Sequence, residues 1–89
     1  MKLPDHIHLT IEHNPHAVTY RTASEWLDEH LMFEEMAKIP RDEAVAPEDQ
    51  AAIRATGEVW LISWHPNTPV GICSVVAATL ERALELANE

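Results

Sequence analysis

The chain has 89 residues, 46% of them apolar and 24% charged, at a mass of 10.0 kDa. That is enough for one compact domain with one core and too little for two, and the balance is that of a folded, water-soluble protein. Six Lys and Arg against fifteen Asp and Glu give a formal charge of -9, so no nucleic-acid ligand is expected, because a phosphate-backbone binder needs cations to displace counterions.

Residues 6–12 come first in chain order. Ile7, Leu9 and Ile11 alternate with His6, His8, Thr10 and Glu12, the period of two that predicts a strand with one buried and one polar face. His13-Asn14-Pro15-His16 reads as a turn, and Ala17 to Arg21 as a short extended piece able to pair back as a hairpin. Thr22-Ala23-Ser24-Glu25 has capping-box spacing, so a helix is expected to begin there. Ala23, Trp26, Leu27 and Leu31, joined by Phe33, Met36 and Ala37, form its wide apolar arc, and Pro40 is expected to end it.

Residues 41–46 read as a loop. Pro47-Glu48-Asp49 fits the first turn of a second helix and Gly57 the position past its end. That helix looks short, polar and peripheral. Residues 58–64 and 70–77 are rich in β-formers around Pro66-Asn67-Thr68-Pro69, which predicts a hairpin, and Thr79 can cap a last helix with the stripe Leu80, Ala83, Leu84 and Ala87. The expected class is α+β: a two-layer sandwich, with an antiparallel sheet of three to four strands and helices on one face. In residues 58–65 both strand faces are apolar, with Trp60, Ile62 and Trp64 on one and Val59 and Leu61 on the other. Part of this strand is therefore expected to pack under the second helix or against another chain.

Cys73 is the single cysteine, so no internal disulfide is available and a reducing, cytoplasmic setting is expected. Neither a secretory leader pattern nor an apolar run of membrane-spanning length is seen, and no membrane association is expected. The two glycines cannot build a phosphate-cradling loop and no Ser stands in a Gly-flanked elbow, so neither a cofactor nor hydrolase chemistry is expected. The chain reads as non-enzymatic.

Three groups of residues are candidates for binding. His6 and His8, two apart on a strand, put both imidazoles on one face, a chelating arrangement to which His13, His16 or His65 could add a ligand. His30 and Glu34, four apart on the first helix, read as an ordinary same-face contact, and Cys73 as a small buried hydrophobe. Residues 25–49 hold nine acids against two bases, so this segment carries -7 of the -9. Glu29, Glu34, Glu35, Asp42 and Glu43 are its candidate docking residues for a basic partner. Trp60, Trp64 and His65 are candidate anchors for a partner or a homodimer, should a Trp be exposed there.

The residues from Pro69-Val70-Gly71-Ile72-Cys73 to Thr79-Leu80-Glu81-Arg82-Ala83-Leu84-Glu85 are similar to the strand-to-helix segment of HicB-type antitoxins. The likeness covers under a quarter of the sequence, and the Gly-rich hairpin of that family is missing. It implies a small acidic protein that binds another protein. The leading expectation is accordingly a protein-binding module, acting by self-association or by docking to a basic partner, with a small His-based transition-metal-binding protein as the alternative.

Overall fold

A computed structural model of the chain describes residues 8–19, 21–39, 44–64 and 73–88. Three strands, β1 (Leu9–His13), β2 (Trp60–Trp64) and β3 (Cys73–Ala77), form an antiparallel sheet in the order β1-β2-β3. Three α-helices accompany it: α1 (Ala23–Met36), α2 (Pro47–Thr56) and α3 (Leu80–Ala87). The α+β class and the antiparallel sheet are as expected. Residues 65–72, with the expected turn, and residues 40–43 lie outside the described residues.

β2 is the central strand, and its register fixes which side chains share a face. Trp60 stands opposite His13 and Ala77, Ile62 opposite Ile11 and Val75, and Trp64 opposite Leu9 and Cys73. This face packs on α3, where Ile62, Trp64 and Ala77 meet Ala83 and Ala87 in one buried cluster. Leu61 and Val76 point the other way and join Val59, Ala78, the α2 residue Ile53 and the α1 residues Ala23 and Leu27 in a second cluster. The helices therefore lie on both faces, not on one. The reason is the double apolar parity of β2: with side chains alternating across the sheet, Ile62 and Leu61 can both leave water only if each face is covered.

Local chemistry sets the element ends. Thr22 Oγ1 accepts from Glu25 N–H at 3.2 Å and Thr79 Oγ1 from Arg82 N–H at 3.1 Å, so both expected N-caps form. Of the expected extended piece at residues 17–21, Ala17 to Thr19 belong instead to a 3-10 helix over Pro15–Thr19, and Tyr20 lies outside the described residues. Asn14 causes this. At a φ of 52° it leaves the strand conformation, exchanges backbone and side-chain hydrogen bonds with Val59, and turns the chain into Pro15, whose ring suits a tight helical turn. A hairpin back onto β1 is thereby lost.

The expected peripheral character of α2 is also corrected, since it buries Ile53 fully and leaves Asp49 only 5% exposed. Arg82 holds that carboxylate with two bonds, Nε to Oδ1 at 3.0 Å and Nη2 to Oδ2 at 3.2 Å. A bidentate guanidinium is what allows a carboxylate to be buried at all, and it clamps the start of α2 to the first turn of α3.

α1 stops four residues before Pro40, closed by its own backbone. Lys38 N–H bonds the Glu35 carbonyl at 3.1 Å and Ile39 N–H the Glu34 carbonyl at 3.0 Å, with Lys38 left-handed at a φ of 56°. This is a Schellman motif with Lys where Gly is usual. Gly57 takes the matching position after α2 at a φ of 72°, and a Cβ added there would meet nothing within 4 Å. The two sites should therefore respond with opposite sign. Lys38→Gly is expected to stabilise the fold and Gly57→Ala to destabilise it, each by about 1 kcal/mol, as read by urea unfolding. Equal signs would show that these backbone angles do not govern either cap.

Candidate functional site

α1 has two unlike faces. Ala23 and Leu27 are buried, with Trp26, His30, Leu31 and Glu34 half-buried on the same side, and the helix leans mainly on α2. The opposite side begins acidic, with Glu25, Asp28 and Glu29, and continues apolar, with Met32, Phe33 and Met36. At 3.6 residues per turn, Glu25, Glu29, Met32, Phe33 and Met36 follow one outward stripe. The expectation that Phe33 and Met36 belong to the buried arc is corrected, for Met32, Phe33 and Met36 are 59%, 61% and 71% exposed.

The cause is that these positions lie about 120–180° around the helix from Leu27, on the side away from the core. Leu27 is the last residue of the helix to be buried, and the final two turns contain none. Past the cap, Ile39 is 40% exposed, and the Schellman closure is the motif that turns such a residue back toward the position of Phe33. Four large apolar side chains thus stand in water at one end of a helix.

Acids surround them. Glu35 is exposed beside Met36, and Glu29 pairs with Arg21. Arg54 binds Asp28 at 2.5 Å. Glu34 turns inward, where its Oε1 accepts a long bond of 3.4 Å from Val45 N–H. Among the described residues, Glu25 and Glu35 make no ion pair. The last turn of α1 holds no base, so Glu34 and Glu35 sit at the negative end of the helix dipole, where carboxylates are unfavourable. Lys38 lies just beyond.

The other candidates are distributed differently. Trp64 is only 3% exposed and belongs to the α3-side cluster, so its ring is spent on the core and has no surface to offer. Trp60 is half-buried and stacks on His13, with centroids 4.0 Å apart. His65, Asp42, Glu43 and His6 lie outside the described residues; His8 is exposed ahead of β1. Among the described residues, no group of three His, Cys, Asp or Glu side chains is arranged to hold a metal ion. Cys73 is half-buried against the α3-side cluster.

A corner not foreseen from sequence joins β1 to β2. Glu58 Oε2 takes Nδ2 of Asn14 at 2.8 Å and lies 2.7 Å from Nε2 of His13. The Asn14 bond first, then the His13 bond, hold the Glu58 carboxyl below its ordinary value. Its role is structural: with the His13–Trp60 stack, it fastens the end of β1 to the start of β2.

No protein-family model, no curated protein and no solved structure matches the chain. Among the described residues, no helix is long and apolar enough to cross a membrane.

His30 makes α1 sensitive to acid. It stacks on Trp26 with centroids 5.1 Å apart, and burial lowers its pKa from the ordinary 6.5, against a weaker upward pull from Glu34. In the unfolded chain His30 takes up its proton near 6.5, whereas in the fold it resists protonation. Its contribution to stability is therefore full above that value and lost as the pH falls through the lower, folded one. Urea unfolding between about pH 8 and 5 is expected to show a steeper loss for the natural chain than for His30→Gln. Parallel curves would remove His30 from the acid response.

Proposed function

We propose that this chain is a small, non-enzymatic, cytoplasmic protein-binding module whose docking surface is the outward face of α1. The observation that carries the reading is the exposure of Met32, Phe33 and Met36 on a helix whose opposite face already supplies Leu27 to the core. With Ile39, and taking about 200 Å² for a fully exposed large side chain, these residues leave roughly 450 Å² of apolar surface in water. Isolated exposed hydrophobes are ordinary, but a clustered patch of this size with a charged border is the usual mark of an interaction site.

The composition of the patch fits the same role. Methionine side chains are flexible and polarizable, and they repack readily against different partners. An apolar centre bordered by Glu25, Glu29 and Glu35 has the layout of a protein interface, with a desolvated middle and a polar rim. Self-association through the hairpin gains less support, because Trp64 is buried and the open part of the second sheet face carries Thr10, Glu12, Ser63 and Ser74.

The test is affinity capture from native lysate with the tagged chain and with a Phe33→Ser/Met36→Ser variant whose circular dichroism and unfolding midpoint match the parent. A co-purifying protein present with the parent and lost with the variant is expected. Identical captures from both, or no captured protein with either, would contradict the reading.

A further inference from the structure

We infer that the occupant of the α1 outward face is a basic amphipathic helix of another protein, and not a second copy of this chain. This rests on the docking role proposed above and specifies the chemistry of the partner. Three observations lead to it, and each concerns a different physical quantity.

The first is charge along the stripe. A helix laid along α1 would cover Met32, Phe33 and Met36 with its own apolar side chains and run alongside Glu25 and Glu35, which make no ion pair among the described residues, and past Asp28 and Glu29, which Arg54 and Arg21 already pair. The acids lie in the rim position, where complementary charge governs partner choice and the rate of encounter. Two copies related by a twofold axis would instead present the same acids to one another, at a formal charge of -9 each. An isologous contact repeats every charge of the patch on both sides, and the one base of the described patch, Lys38, is outnumbered by the two unpaired acids Glu25 and Glu35.

The second is the end of the helix. Glu34 and Glu35 occupy the last turn of α1, where the backbone carbonyls already concentrate negative charge and no base lies within the turn. A Lys or Arg brought alongside by a partner would offset both the carboxylates and the dipole. Arg21 and Arg54 are already committed to Glu29 and Asp28, so among the described residues the neighbouring Lys38 is the nearest cation in sequence to Glu35.

The third is area. A standard interface buries about 800 Å² on each partner, whereas the apolar patch offers roughly 450 Å². The patch thus accounts for the centre of a small interface and the acids for its rim. The stripe from Glu25 to Met36 runs for 12 residues, which at about 1.5 Å per residue is close to 18 Å, the length of three to four turns of a partner helix. A partner of that form presents apolar residues at i, i+3, i+4 and i+7 with Lys or Arg on both flanks.

The experiment uses the intact chain and two synthetic helical peptides of about 18 residues with identical Leu stripes, one flanked by Lys and the other by Glu, each carrying a fluorophore for anisotropy. The chain alone is run in parallel by sedimentation. The Lys peptide is expected to bind, to weaken at least tenfold with Phe33→Ser/Met36→Ser, to weaken again with Glu25→Lys/Glu35→Lys, and to weaken severalfold between about 50 and 300 mM salt. The Glu peptide is expected not to bind. Binding of the Lys peptide that is indifferent to Phe33→Ser/Met36→Ser would be unspecific charge attraction and would overturn the inference. So would equal binding of both peptides. A dimer of the chain that dissociates with Phe33→Ser/Met36→Ser would overturn the partner assignment while upholding the docking surface. A monomer that binds neither peptide would overturn both.

Discussion

The structure depends on one constraint, the need to dry both faces of β2. Strand geometry sends Ile62 and Trp64 to one side and Leu61 to the other, and a three-stranded sheet has one central strand to satisfy. Covering both faces requires at least two helical layers, and 89 residues leave little chain for each. α3 follows β3 almost at once and covers the first face with Ala83 and Ala87, small residues that let helix and sheet approach closely. The second face is left to α2 and α1. Their placement is secured by the buried Asp49 and its Arg82 clamp, which ties the layer on one face to the helix on the other.

The outward face of α1 follows from this division. α1 leans on α2 more than on the sheet, so its buried contacts are concentrated in the first two turns, at Ala23 and Leu27. Nothing in the core calls for Met32, Phe33 or Met36. Hydrophobic side chains that the fold does not bury cost solubility and invite aggregation, and they stand here next to the most acidic part of the chain. On the proposed reading, the charge would keep the free protein apart from its copies and select what can approach the patch. One side of the helix thus serves stability, and the other is the side proposed for recognition.

Much of the fold was legible because it rests on local chemistry. Thr22 and Thr79 mark helix starts by hydrogen-bonding capacity, Pro47 by its fixed φ and missing N–H, and Gly57 marks a helix end by backbone freedom, and each does so in the structure. Apolar residues on both faces of β2 pointed to further cover for part of that strand, although the helices were expected on one face of the sheet. What escaped was non-local. Asp49 reads as a helix-start acid, and only the approach of Arg82 from 33 residues away makes it a buried clamp. Asn14 reads as a turn, but its reach to Val59 and Glu58 converts an expected strand into a 3-10 helix. The apolar face of α1 was misjudged for the same reason: spacing shows that residues share a face, while burial depends on which neighbouring element arrives. Phe33 and Met36 lie on the side to which none of the described elements comes. The acidic segment was visible from composition; that it borders an apolar patch required the fold.

The outer face of α1 is the face proposed to dock a partner, and two of the three methionines of the chain, Met32 and Met36, lie on it. Carbon-13 labelling of the methionine methyl groups therefore gives a direct reading by nuclear magnetic resonance during titration with the Lys-flanked helical peptide. The Met32 and Met36 methyl resonances are expected to begin near solvent-exposed positions and to shift together along the binding curve. Binding that leaves both methyl groups unmoved, or free protein in which both already carry the dispersed shifts of a packed core, would contradict the proposal.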